Sequence, residues 1–123
     1  MDGLLLCDDL IFTTRIVGTA KALGLTIRSA KSAPDLLLFA RQTSPRCVII
    51  DLHTPGLAID EATRELAALE PRPFIVGYGS HVDTATLKKA RDAGCDIVWP
   101  RSKFVDELTT ALPAWFKSAE KTA

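Results

Sequence analysis

The stretch Arg46-Cys47-Val48-Ile49-Ile50-Asp51 decides how this chain folds. Its four central residues are all apolar, with no polar alternation, so both faces of the segment must be covered. A short uninterrupted run of this kind marks a central strand of a parallel sheet. It ends on an acid. A second run, Gly3-Leu4-Leu5-Leu6-Cys7-Asp8-Asp9, has the same form, an apolar strand closed by acids. In an open parallel sheet, functional groups gather just outside the carboxyl ends of the strands. Asp8, Asp9 and Asp51 therefore share one crevice if these two strands are neighbours.

Working outward, strand and helix alternate along the whole chain. A strand over 4–7 leads to Phe12, Ile16, Ala20 and Leu23 at helical spacing, stopped by Gly24. A weaker strand follows over 25–28. Ser32 with Asp35 three residues on resembles a capping box, with Pro34 in the first turn of a helix reaching about 42. After the turn Thr43-Ser44-Pro45 comes the strand over 47–50, then the loop His53-Thr54-Pro55-Gly56 and a helix over 60–69. Pro71 and Pro73 bracket the way into a strand over 74–76. Gly77-Tyr78-Gly79-Ser80 reads as a flexible loop, followed by a helix over 82–93 that Gly94 ends, and a strand over 95–99. The last helix starts near 102 with Phe104, Leu108, Ala111, Leu112 and Trp115 on one face. Pro113 is expected to kink or split it, and 118–123 reads as a frayed tail. Five strands alternating with five helices define an α/β doubly wound parallel sheet with helices on both faces.

The 123 residues amount to one domain, 1–123, with no linker, internal repeat or low-complexity segment. Hydrophobic residues make up 47%, enough for a sizeable core. Lysine plus arginine and aspartate plus glutamate number 15 each, and this balance argues against nucleic acid or an anionic membrane as the main partner. No stretch is apolar and long enough to span a bilayer, and Met1-Asp2-Gly3 has no basic leader region, so the expected location is the cytoplasm. Cys7, Cys47 and Cys95 are odd in number, form no C-x-x-C pair and lie in or beside apolar runs, which reads as buried free thiols.

Three ionised carboxylates in one crevice repel each other, so they require a cation or raised pKa values. A hard cation with oxygen ligands, most simply Mg²⁺, resolves the conflict. In the flavodoxin-like strand order 2-1-3-4-5, the first and third strands are adjacent and bring the acids together.

This layout resembles the receiver domain of bacterial two-component response regulators over nearly the whole chain. The resemblance is carried by Asp8-Asp9, by Asp51 followed by Thr54-Pro55-Gly56, by the Ala93-Gly94-Cys95-Asp96 turn, and by a basic residue at the end of the fifth strand. It implies that Asp51 accepts a phosphoryl group from a kinase histidine, a role a carboxylate can fill as a nucleophile. It implies Mg²⁺ at Asp8, Asp9 and Asp51, with His53 lending only its backbone carbonyl. Counted from Gly94, the hydroxyl residue that ends the fourth strand in the family falls on Gly79, with Ser80 next to it as a substitute. The lysine that ends the fifth strand falls on Arg101. The aromatic switch position falls on Val98, with Trp99 beside it, and the proline expected after the lysine is Ser102. The residues of phosphoryl acceptance are thus present and those of the usual switch are altered. The implied partners are a histidine kinase or phosphotransfer protein and a downstream protein. The chain reads as a signalling module, not an enzyme, either stand-alone or one domain of a longer protein.

Other readings attach to the same residues. Asp9 can simply cap the first helix. Asp51-Leu52-His53-Thr54-Pro55-Gly56 matches the D-x-H-x-x-G motif of cobalamin-binding domains, but it follows the third strand and no Gly-Gly occurs. Gly77-Tyr78-Gly79 lacks the spacing of a nucleotide loop. Leu112, Trp115 and Phe116 form a heavy apolar stripe, a candidate surface for a partner or a second copy. A pseudo-receiver, binding a protein without phosphorylation, is the alternative function.

Overall fold

The structure, a computed structural model, describes residues 2–122, with side chains through 118. Its elements are β1 (Gly3–Leu6), α1 (Leu10–Ala22), β2 (Ile27–Ala30), α2 (Ala33–Thr43), β3 (Cys47–Asp51), α3 (Ile59–Ala67), β4 (Phe74–Gly79), α4 (Thr84–Ala93), β5 (Ile97–Pro100) and α5 (Arg101–Thr122). The strands are all parallel and form one sheet in the order β2-β1-β3-β4-β5. Every residue of β1 and β3 is buried, as an uninterrupted apolar run requires.

Strand side chains alternate between faces, and that alternation divides the core in two. Leu5, Cys7, Cys47, Ile49, Val76 and Tyr78 face α1 and α5, where they meet Ile16, Ala20, Phe104, Leu108 and Leu112. Leu4, Leu6, Val48, Ile50 and Ile75 face the other way, toward Leu36, Ile59, Leu66 and Leu87 on α2, α3 and α4. Each fully buried leucine or isoleucine contributes roughly 1.5–3 kcal/mol of transfer free energy.

Two strands start later than the sequence suggests, for one shared reason. Gly24 and Gly94 both have positive φ, at 79° and 110°. After α1, Leu25 N–H donates to the Ala20 carbonyl and Gly24 N–H to that of Lys21; after α4, Cys95 donates to Ala90 and Gly94 to Arg91. These paired bonds close the helix ends and engage the next residue as well. The strands expected over 25–28 and 95–99 therefore become β2 and β5, each starting at Ile27 and Ile97.

The reading of Gly77-Tyr78-Gly79-Ser80 as a flexible loop is overturned: β4 continues through Gly79, and Tyr78 is fully buried. The glycines make room for a neighbour instead of a bend. A Cβ on Gly77 would stand 3.1 Å from Leu52 Cδ2, so the residues after β3 fold back over β4 at close range. Pro113 does not split α5, which runs as a single helix. Leu108, Ala111 and Leu112 before the proline and Trp115 and Phe116 after it are all buried, so packing holds the helix on both sides of the interruption. Leu112, Trp115 and Phe116 thus belong to the core, and the expected apolar surface for a second copy is not there. Of the expected frayed tail, Ala123 lies outside the described residues, as do the side chains of 119–122. Among the described residues no helix is long and apolar enough to cross a membrane.

Candidate functional site

The site lies where β1 and β3 end side by side. Leu6 pairs with Ile50, and Asp51 on the other flank pairs with Tyr78 of β4. Asp51 is 6% exposed. Its Oδ1 accepts the backbone N–H of His53 at 2.9 Å and lies 3.9 Å from Arg101 Nη2. The Cys7 thiol stands 3.8 Å from Asp51 Oδ2 and 3.6 Å from the Asp9 carbonyl. The turn that follows is tied down by Thr54, buried, whose Oγ1 donates to the Asp51 carbonyl at 2.8 Å. Asp51 is thus a nearly enclosed carboxylate held in one orientation, with a cation at its mouth.

Arg101 opens α5, with its side chain 47% exposed and its guanidinium 5.6 Å from the centre of the Phe12 ring. Pro100 pairs with Gly79 immediately before it, so the guanidinium reaches inward from the end of β5. Below the carboxylate lies Tyr78, stacked on Phe104 at 4.4 Å and tilted on Phe12 at 5.2 Å. Among the described residues its phenol oxygen is buried without a partner at hydrogen-bond geometry, the Cys7 thiol being its polar neighbour. Burial drives the Tyr78 phenol far above its ordinary range, and the nearby Cys7 and Asp51 push the same way. Sequence reasoning missed this residue because Gly77-Tyr78-Gly79 was read as a loop.

Asp8 and Asp9 are both exposed. Asp9 caps α1, with Oδ1 accepting the Phe12 N–H at 3.1 Å. Among the described residues, no three histidine, cysteine, aspartate or glutamate side chains stand close enough together to hold a metal ion. Asp8, Asp9 and Asp51 all follow or end strands at one edge of the sheet, and Asp9 is engaged there as the cap of α1. The donor set is nonetheless right in kind for Mg²⁺, being carboxylate oxygens and a backbone carbonyl.

His53 differs most from expectation. Its side chain, expected to be idle, reaches across to β4, where Nε2 accepts the Ser80 N–H at 2.9 Å. Ser80 does not offer its hydroxyl to Asp51; Ser80 Oγ accepts the Val82 N–H at 3.4 Å. Val98 is buried among Ile75, Leu87 and Ala90 on the α3–α4 side. Trp99 packs on the other face against Trp115 at 5.3 Å, so Trp99 does not take over the place of Val98. His81 lies in the turn before α4, whose cap is Asp83. Burial raises the Cys47 and Cys95 thiols above the ordinary range; Cys7 and Cys47 are buried free thiols as expected, whereas Cys95 is only half-buried.

Comparison with known proteins places this geometry. No family model matches the chain. A curated relative, the transcriptional activator protein ExaE of Pseudomonas putida, is 31% identical over 71 residues, which cover 58% of this chain. The aligned part amounts to 33% of that protein, so the chain matches about a third of its relative's length. NtrX of Brucella abortus, solved in complex with ATP, superposes with a TM-score of 0.83 at 20% identity, over 97% of this chain and 27% of that one. The receiver domain of the sensor histidine kinase PA1611 of Pseudomonas aeruginosa PAO1 superposes with a TM-score of 0.81 at 21% identity, over 94% and 97% of the two chains. That domain was solved with a magnesium ion coordinated in its active site cleft. The fold is that of response regulator receiver domains, as the acid-ended strands imply.

Proposed function

We propose that this chain is a receiver domain of two-component signalling that accepts a phosphoryl group on Asp51. The observation that carries the reading is the state of that carboxylate. It is nearly enclosed, fixed by the His53 N–H, and faced by the Arg101 guanidinium at the end of the next strand but one. An ionised carboxylate held in this way is a nucleophile with its direction already set. One Asp51 oxygen attacks phosphorus, the P–N bond of a phosphohistidine breaks, and the departing imidazole keeps the bonding pair. Arg101 offers its planar fork to the phosphoryl oxygens, although an arginine does not reproduce a lysine's point charge.

Mg²⁺ fits as the cofactor, held by Asp8, Asp9, Asp51 and the His53 carbonyl. When bound, the ion would screen the charge between the incoming phosphoryl group and the carboxylate. Asp9 must then turn from its helix cap, which makes the Phe12 amide a reporter of metal binding. The partners are a histidine kinase or phosphotransfer protein upstream and a protein downstream, with the cytoplasm as the place of action. The module itself is not an enzyme.

The test is intact-protein mass after incubation with acetyl phosphate, with and without Mg²⁺. A single Mg²⁺-dependent phosphoryl adduct, absent in Asp51→Asn, is the expected outcome. The same adduct on the folded Asp51→Asn variant contradicts the assignment. A second reading, a pseudo-receiver that binds its partner without phosphorylation, draws on Gly79, which has no hydroxyl, and on Val98, which has no ring. A folded protein that gains no adduct from acetyl phosphate or from a phosphohistidine donor favours it.

A further inference from the structure

The two glycines of β4 are occupied from outside, each by one residue of the turn after β3. A Cβ on Gly79 would stand 3.1 Å from His53 Nε2 and 3.4 Å from Cδ2. The imidazole therefore fills the space where a side chain on residue 79 would lie. It is bonded there: Nε2 accepts the Ser80 N–H at 2.9 Å, so the ring carries its proton on Nδ1. The backbone N–H of the same residue is bound to Asp51 Oδ1. One residue thus links the carboxylate to the start of the β4–α4 turn. Asp51 pairs with Tyr78 on the adjacent parallel strand, so Gly79 and Ser80 run on past the carboxylate at the same edge of the sheet. The Ser80 amide is a backbone donor at that edge, and His53 Nε2 already accepts from it.

We infer that His53 is a gate on the site: its imidazole occupies the Ser80 N–H and the space beside Gly79, and must leave both before a phosphoryl group on Asp51 can use them. The inference rests on Asp51 as the phosphoacceptor. His53 is a positioning residue here, acting through the Ser80 amide. The ring is exposed and can swing outward without disturbing the core. Gly79 is then the complement of His53, since only a residue without a side chain leaves room for the closed ring.

The experiment compares wild type, His53→Ala and Gly79→Ala, each with acetyl phosphate and Mg²⁺, following adduct growth by intact mass. In this reaction an Asp51 oxygen bonds to phosphorus, the phosphorus–oxygen bond to acetate breaks, and acetate leaves with the pair. Amide exchange at Ser80 is measured on the unphosphorylated proteins. The gate predicts faster Ser80 exchange in both variants, and adduct growth about three- to tenfold faster, the scale of one ordinary hydrogen bond. Two substitutions, one in the turn after β3 and one at the end of β4, then act alike, because one removes the ring and the other displaces it. A role for His53 that is only structural predicts slower labelling in His53→Ala. Equal or slower labelling in the variants, with a normal adduct in wild type, overturns the gate and leaves Asp51 as acceptor. No adduct in any of the three contradicts the phosphoacceptor reading itself, and the gate falls with it.

Discussion

Asp51 is positioned by its neighbours more than by any partner of its own choosing. It ends a strand buried on both faces, its backbone carbonyl is taken by Thr54, and its Oδ1 is taken by His53. The acid at the end of an apolar run was legible in the sequence because periodicity fixes where a strand ends. The surroundings were not, because hydrogen bonds from His53 and the burial of Tyr78 depend on contacts distant in sequence. Three expectations follow at this scale. Tyr78→Phe removes a buried hydroxyl that has no hydrogen-bond partner among the described residues, so stability in urea should stay level or rise by up to about 1 kcal/mol; a clear loss would mean the phenol has a partner in solution. Gly79→Thr adds the hydroxyl that the resemblance expects at this position, and its Cβ displaces the His53 ring as that of Gly79→Ala does. It should therefore strengthen the response of the β4 and β5 NMR signals to acetyl phosphate by itself, and unchanged signals would mean that Gly79 is not the altered switch position. Asp9→Ala should lower the helix stability by about 1 kcal/mol through the lost cap and remove the Mg²⁺ dependence of labelling, whereas unaltered Mg²⁺ dependence would exclude Asp9 as a ligand.

Helices and strands were legible in kind and misplaced at their ends. The Ser32 cap reads directly from sequence and is present, with Oγ accepting the Asp35 N–H. The late starts of β2 and β5 come from closing bonds at Gly24 and Gly94 that engage the residue after each glycine, and residue preferences alone do not reveal this. Asp96 shows the same limit: its Oδ2 accepts both Arg72 Nη1 and the Ile75 N–H at 2.8 Å, anchoring the start of β4 from the far side of α4. Glycines in β4 mimic a loop because sequence does not show which neighbour comes close. The α4 cap offers a test with a defined sign. Asp83 accepts from the Thr86 hydroxyl and amide, and these bonds hold its carboxyl below the ordinary value. A lowered carboxyl pKa stabilises the fold above the ordinary aspartate range, and the gain is lost as pH falls through the folded value. Asp83→Ala should therefore be less stable than wild type near neutrality, with the gap closing in acid. A gap that persists below both pKa values would show that the cap does not act through its charge.

Across the molecule, one side of the sheet holds nearly all the aromatic packing. Phe104 lies 5.9 Å from Trp115 and 4.4 Å from Tyr78, so α5 connects the floor of the site to the opposite end of the sheet. Phe116 closes that end against Gly3, where a Cβ would stand 2.8 Å from its ring. Phe116→Ala should cost about 3–5 kcal/mol in urea unfolding, and Gly3→Ala should also destabilise by forcing the ring aside; two neutral outcomes would place α5 differently from its position here. The heavy apolar stripe read from sequence is this packing, seen before the sheet that covers it was known. The central claim is chemical and local: the phosphoryl group goes to Asp51. It is tested most directly by treating the protein with acetyl phosphate and Mg²⁺, reducing the acyl phosphate with borohydride, and locating the resulting homoserine by peptide mass. Homoserine at position 51 is the predicted result. A modification at Asp8, Asp9 or any other residue, with position 51 unaltered, would contradict it.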